Sequence, residues 1–167
     1  LAEMKKTGST GKVNVVVEYG TPGLGSKRIQ IGKSSLISSG ETVYGRHPKA
    51  DMGDYKRVIE FAKWAKVNFP ARKYMFILWG HGTGWLDQNL NASAGAINKG
   101  ILFDDETNNY VRTRQLGEIT RQAGYMDVFA MSSCLMQMAE VAYEVKDGAG
   151  LIVASEENML TQGFEYE

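Results

Sequence analysis

Strand-like and helix-like stretches alternate along this chain, and that alternation is the strongest constraint on its fold. Residues 13–19 (VNVVVEY), 74–79 (YMFILW), 127–131 (DVFAM) and 151–154 (LIVA) are rich in β-branched, aromatic and aliphatic side chains, as strands are. Between them lie residues 54–69, 113–123 and 135–146, whose apolar side chains recur at spacings of three and four. The order strand, helix, strand, helix, strand, helix, strand predicts an α/β fold: a mostly parallel sheet with helices on both faces. The nearly continuous apolar content of residues 13–19 suits a strand buried on both sides.

Local signals set the boundaries. Tyr55, Val58, Ile59, Ala62, Ala65 and Phe69 form one stripe; Asp51 or Asp54 can cap its start, and Pro70 follows its end. In the second helix Leu116, Ile119 and Ala123 face inward and Gly124 is the stop. In the third, the inner face is Leu135, Met138, Ala139, Ala142 and Val145. Residues 20–53 are rich in Gly and Ser and read as loops around a short strand near 28–31, with His47 in a loop before Pro48. Residues 101–103 suggest another short strand, after an exposed loop over 87–98.

Composition excludes several function classes. The 167 residues suffice for one domain with a real core, taken as residues 1–167. The 19 basic and 19 acidic side chains cancel, and no long basic run points to nucleic acid or an anionic membrane. The apolar runs fall far short of the ~20 residues needed to span a bilayer. No signal peptide is legible, and Leu1 is not an initiating Met. The single Cys cannot form an internal disulfide, which leaves one thiol free for chemistry. Asp104-Asp105-Glu106 lacks the spaced ligands and Gly of a calcium loop and reads as a solvated turn, so calcium is not indicated and no cofactor is required.

Two residues of chemical interest sit at strand ends. His81 lies two positions past the run 74–79, inside Gly80-His81-Gly82-Thr83-Gly84-Trp85, and Cys134 lies three past the run 127–131. Parallel strands put both ends on one edge, where ligands bind in open α/β sheets. The pair is 53 positions apart (134 − 81), close to the roughly 50 seen in caspases with His upstream. An imidazole can take a thiol proton and return it to a leaving amine. Gly82 leaves its N–H open to a developing oxyanion, with the N–H of Cys134 at a helix start as second donor. Spacing alone leaves alternatives open. A lone Cys between an apolar strand and helix is commonly a small buried hydrophobe, and a His among glycines is also an ordinary loop residue. Met131, Met136 and Met138 read as packing, and Ser133 lacks a GxSxG context.

The stretch PARKYMFILWGHGTGW resembles the clostripain family around its catalytic His, where an apolar strand ends in W-x-HG-x-GW. SSCLMQMAEVAYEVKDGAGLIVASEE resembles the family around its catalytic Cys, and VNVVVEY, MGD with FAKWA, FDDETNNYVRTRQL and GFEY follow in family order. The resemblance implies a three-layer, caspase-like α/β/α fold and a cysteine endopeptidase with His81 and Cys134 as dyad and Gly82 as oxyanion donor. It also implies a bacterial, exported zymogen that cuts peptide or protein substrates after Arg or Lys. The family pattern extends before Leu1 and after Glu167, so the remainder of the peptidase chain is an expected partner.

One departure bears on specificity. Where the family commonly has an acid two residues before the Cys, this chain has Ser132. A desolvated guanidinium needs a paired anion, so a weaker basic preference is expected. Glu156 or Glu157, ending the strand that should flank the Cys strand, could replace the charge or simply sit in a solvated turn. Lys99 is the basic residue of the loop 87–100 and the expected site of a maturing cut. A degenerate homologue that binds peptides without cutting them is the competing function.

Overall fold

The computed structural model describes residues 1–85, 100–160 and 163–166. Its elements are α1 (Met4–Thr7), β1 (Val16–Thr21), β2 (Gly25–Ile31), β3 (Glu41–His47), α2 (Tyr55–Asn68), β4 (Met75–Trp79), β5 (Gly100–Asp104), β6 (Asn109–Arg112), α3 (Thr113–Ala123), β7 (Met126–Ser132), α4 (Ala139–Val145) and β8 (Ala149–Val153). They fall into two compact units, Leu1–Ala50 with Phe164–Glu167, and Asp51–Gly163.

The larger unit is the expected α/β alternation. β4, β7 and β8 form a parallel sheet in that order, with Phe76 beside Phe129, Leu78 beside Met131, and Phe129 beside Ile152. Both crossovers advance in the same direction, so right-handed connections bring α3 and α4 to one face. Among the described elements α2 packs on α3 and α3 on α4. Gly117 permits the second contact: a Cβ there would lie 2.7 Å from the Glu144 carbonyl oxygen. Phe129, Met131, Leu116, Ile119, Val141 and Val145 are fully buried between helices and sheet.

Local chemistry explains the helix ends. Asp54 caps α2 by accepting from the Lys56 N–H at 2.9 Å. Pro70 disfavours helix at Phe69, which leaves the helical region. α3 has the predicted bounds, and the Gln115 side chain accepts from the Arg112 N–H at 2.8 Å. At its far end Lys66 donates to the carbonyls of Ala123, Gly124 and Tyr125 at 2.8–3.0 Å, satisfying acceptors the helix leaves open. Asp51 does not cap α2. It accepts from Gly53, Thr107 and Asn109, while Asp104 accepts from the N–H groups of Met52, Glu106 and Thr107. The start of α2 is thereby tied to the β5–β6 turn, and Gly53 is wedged so closely that a Cβ would meet the Asn109 carbonyl carbon at 2.4 Å.

The smaller unit departs from expectation. β1 is half-buried and antiparallel to β2, not a doubly buried parallel strand. β3 forms within the stretch read as loop, and His47 is its last residue. Opposite Glu18 on β1 stands Arg28 on β2, and the two pair at 2.6 Å with almost no exposure. Two further differences matter near the chemistry. β5 pairs with β6, which has no apolar run to announce it. α4 begins at Ala139 rather than at 135, because Leu135 takes a left-handed φ of 61° that no helix accommodates.

Candidate active site

The register of the parallel sheet sets Trp79 beside Ser132. His81 and Cys134 each lie two residues further on, one after β4 and the other after β7, at the same edge. The loops that carry them touch. A Cβ on Gly82 would lie 2.6 Å from the Cys134 carbonyl oxygen and 2.9 Å from the Ser133 Cβ, so only glycine fits there. The same loop is stitched to β5: Thr83 donates to the Gly100 carbonyl at 2.9 Å, and Leu102 donates to the His81 carbonyl at 3.2 Å. That bridge uses the groups flanking Gly82, so the N–H of Gly82 itself is outside it.

Backbone strain marks the Cys134 loop and the strand bridged to the His81 loop. Leu102 and Leu135 hold φ near +60°, a costly conformation for a side chain branched beyond Cβ. Each is fixed by a hydrogen bond from its own N–H, Leu102 to His81 and Leu135 to the Glu157 carbonyl at 3.1 Å. Since α4 starts only at Ala139, the N–H of Cys134 lies in a turn and not at a helix start, and the helix-terminus contribution expected for it is absent.

Cys134 is partly buried and its thiol is free. Its sulfur accepts from the Met159 N–H at 3.2 Å and approaches the Met159 carbonyl oxygen at 3.9 Å. His81 is exposed, and among the described hydrogen bonds its side chain does not reach the sulfur. Such contacts are often long in unliganded sites. Ser133, between the strand and Cys134, is buried with a hydroxyl that has no partner among the described residues.

The remaining candidates separate. Ser132 is buried, and Gly163 is pressed on it: a Cβ on that glycine would meet the Ser132 Oγ at 2.3 Å and the Trp79 Nε1 at 2.9 Å. Glu156 and Glu157 are both exposed in a turn where the Ser155 hydroxyl donates to the Glu157 carbonyl at 2.9 Å. They follow β8, which does flank β7. Lys99 and most of the loop 87–100 lie outside the described residues. In the Asp104 turn the carboxylate is occupied by backbone N–H groups, and no cluster among the described residues could hold a metal ion. Sequence reading missed the role of Met159, because a backbone amide leaves no side-chain signature. No described helix is long and apolar enough to cross a membrane.

Comparison with known proteins agrees with this geometry. A family model described as the clostripain family (Peptidase_C11) matches residues 1–167. Clostripain from Hathewaya histolytica is 32% identical, over 71% of this chain and 24% of that one. This chain thus spans about a quarter of that curated relative's length. Among solved structures, an inactive zymogen C11 protease from Parabacteroides distasonis superposes with TM-score 0.76 at 20% identity, covering 99% of this chain and 45% of that one. A secreted C11 cysteine protease from Bacteroides thetaiotaomicron, in complex with an irreversible peptide inhibitor, superposes with TM-score 0.72 at 23% identity, covering 92% and 41%. The fold is the caspase-like α/β fold of these proteases.

Proposed function

The chain belongs to the clostripain family, and from that premise we propose that the protein is a cysteine endopeptidase with Cys134 as nucleophile and His81 as its base. The observation that carries the reading is the contact between the two loops, with Gly82 lodged against the Cys134 backbone. His81 takes the thiol proton, the thiolate attacks the scissile carbonyl, and the imidazolium protonates the departing amine. Water then hydrolyses the acyl-enzyme with His81 again as base. In this reading the Gly82 N–H is the oxyanion donor, and its standing outside the bridge to β5 supports the role.

A peptidyl electrophile tests this in the full-length protein. Covalent labelling at Cys134 is expected, together with its loss in His81→Ala. A folded protein whose Cys134 ignores the probe while cleaving peptide would remove the mechanism. A protein that binds peptide reversibly, without labelling or cleavage, is instead the degenerate binding homologue; the absence of an acid at Ser132 is the feature favouring that second reading.

Specificity follows from the same pocket. The family prefers Arg or Lys before the cut, and here a neutral, buried Ser132 supports a weaker preference, with Glu156 or Glu157 as the available compensating charges. A library varying the residue before the cut decides it: strict cleavage after Arg or Lys that survives both Glu156→Gln and Glu157→Gln would sink this account. Maturation by cleavage after Lys99 and export from a bacterial cell complete the proposal. The Bacteroides relative is described as secreted, and mass spectrometry of active protein reads whether residues 98–100 remain joined.

A further inference from the structure

The chain after β8 does not lead directly away from the site. It returns over the Cys134 loop and is tied to it by backbone. Gln137 donates to the Ser155 carbonyl at 2.9 Å, Leu135 donates to the Glu157 carbonyl at 3.1 Å, and the Met159 N–H ends the series on the Cys134 sulfur at 3.2 Å. Between these points the Ser155 hydroxyl folds the turn by donating to the Glu157 carbonyl at 2.9 Å and accepting from the Glu157 N–H at 3.2 Å. Ala154, just before the turn, packs against the hydrophobic core, whereas Glu156, Glu157, Asn158 and Leu160 are exposed. The segment is therefore anchored before the turn by Ala154 and beyond it near Gly163, which lies against Ser132 and Trp79, and the Cys134 loop is tied to it by main-chain hydrogen bonds.

We infer that residues 155–159 form an autoinhibitory strap, in which the Met159 peptide caps the Cys134 sulfur and must move aside before a substrate can reach it. The inference rests on the reading of Cys134 as nucleophile. A scissile carbonyl reacts from about 3–3.5 Å, and the Met159 amide already stands at that distance. The nearer group is the N–H, a hydrogen-bond donor, with the carbonyl oxygen of the same residue further off at 3.9 Å, so the contact occupies the nucleophile. Cys134 is partly buried, and the Met159 peptide is one of the groups that lie on its sulfur. Its hold is of a reversible kind. Each main-chain hydrogen bond contributes modestly against water, and no large side chain leaves the core when the segment lifts, so opening belongs to the low-energy local motions of a folded protein.

The strap predicts how fast a small, non-peptidic reagent finds the thiol. In the full-length protein, alkylation of Cys134 by iodoacetamide at fixed pH is followed by mass spectrometry. Met159→Pro removes the donating N–H and is expected to raise the rate roughly tenfold. Met159→Ala keeps the N–H and is expected to stay near the unaltered rate, and Ser155→Ala, which unlocks the turn, falls between. A folded Met159→Pro protein alkylated no faster than the unaltered one overturns the strap. If Met159→Pro does not fold, Ser155→Ala decides: faster alkylation with faster hydrogen exchange at the Leu135 and Gln137 amides supports the strap, and unchanged rates in both overturn it. Alkylation needs no peptidase activity. Faster alkylation in a protein that cuts no peptide therefore supports the cover and counts against the peptidase reading alone.

Discussion

In the antiparallel sheet β1–β2–β3, Ile29 and Ile31 are fully buried, but Arg28, next to Ile29, is buried in a charged pair with Glu18. In the parallel sheet β4–β7–β8 the equivalent central positions are Phe129, Ala130 and Met131, all fully buried, with Phe129 and Met131 in the core cluster that includes residues of α2, α3 and α4. The first sheet is specified by directional contacts. Glu18 accepts from Arg28 and from the Ser26 hydroxyl, and those bonds exist in one register only. The second is stabilised by area removed from water, which is non-directional and sums over many side chains. The loops that carry His81 and Cys134 grow from the second kind of sheet. A close-packed core fixes its strand ends in register, and the two loops inherit that register.

The largest expected effect lies in those loops. Cys134→Ala should lower peptide hydrolysis by several orders of magnitude, and His81→Ala nearly as far, with the thermal midpoint of each little changed. Full hydrolysis in Cys134→Ala would end the mechanism. A comparably large loss from a substitution in β1–β3 that leaves the fold intact would break the contrast between the two sheets.

Core truncation comes next. Phe129→Ala removes a fully buried ring that stacks on Phe76 at 6.1 Å, and should cost about 3–5 kcal/mol. Hydrogen exchange at the β7 amides measures it. A cost below about 1 kcal/mol would mean the parallel sheet is not held by its core.

The buried pair sharpens the comparison. Arg28→Met alone strands the Glu18 carboxylate and should cost about 3 kcal/mol, read at the β1 and β2 amides. Adding Glu18→Gln retains an acceptor for Ser26 and should recover most of that loss. No recovery would show that the ion pair itself supplies stability, in addition to register.

The smallest effect is in the polar network that ties the start of α2 to the β5–β6 turn. Partial burial acts to raise the Asp104 pKa, but N–H groups of Met52, Thr107 and Glu106 and the Thr107 side chain outweigh it and hold the carboxyl below its ordinary value. A depressed folded pKa contributes stability above the unfolded value, near 4, and loses it as pH falls through the folded value. Asp104→Asn should therefore cost about 1–2 kcal/mol at neutral pH, and the difference should shrink as acid protonates the native side chain. A difference independent of pH would exclude this charge-linked role.

The difference between the sheets also explains what was legible. β4, β7 and β8, with α2 and α3, follow from apolar runs and stripes, since burial writes itself into side-chain type. β2 and β3 (GSKRIQI and ETVYGRH) carry charges and glycines at strand positions, and their pairing follows from cross-strand contacts that periodicity does not encode. In sequence Asp51, just before the MGD segment, reads as a candidate helix cap and Asp104-Asp105-Glu106 as a solvated turn, with nothing to join them. Their meaning is the Asp51 and Asp104 network that joins them across more than fifty residues.

The sequence by itself determined the α/β class, the parallel order of the strand ends, and the placement of His81 two residues and Cys134 three residues past two of the apolar runs; the structure carries β7 on to Ser132 and so sets both at two. Those features depend on which side chains seek burial, and that is a local property of the chain. Only the tertiary structure decided that Leu135 breaks the expected helix after the Cys, that Gly163 buries Ser132, and that the Met159 amide lies on the sulfur. Each of these is a close approach between backbone segments, fixed by how the packed elements bring distant chain together, and a main-chain N–H or a missing Cβ carries no residue-type signal to foretell it.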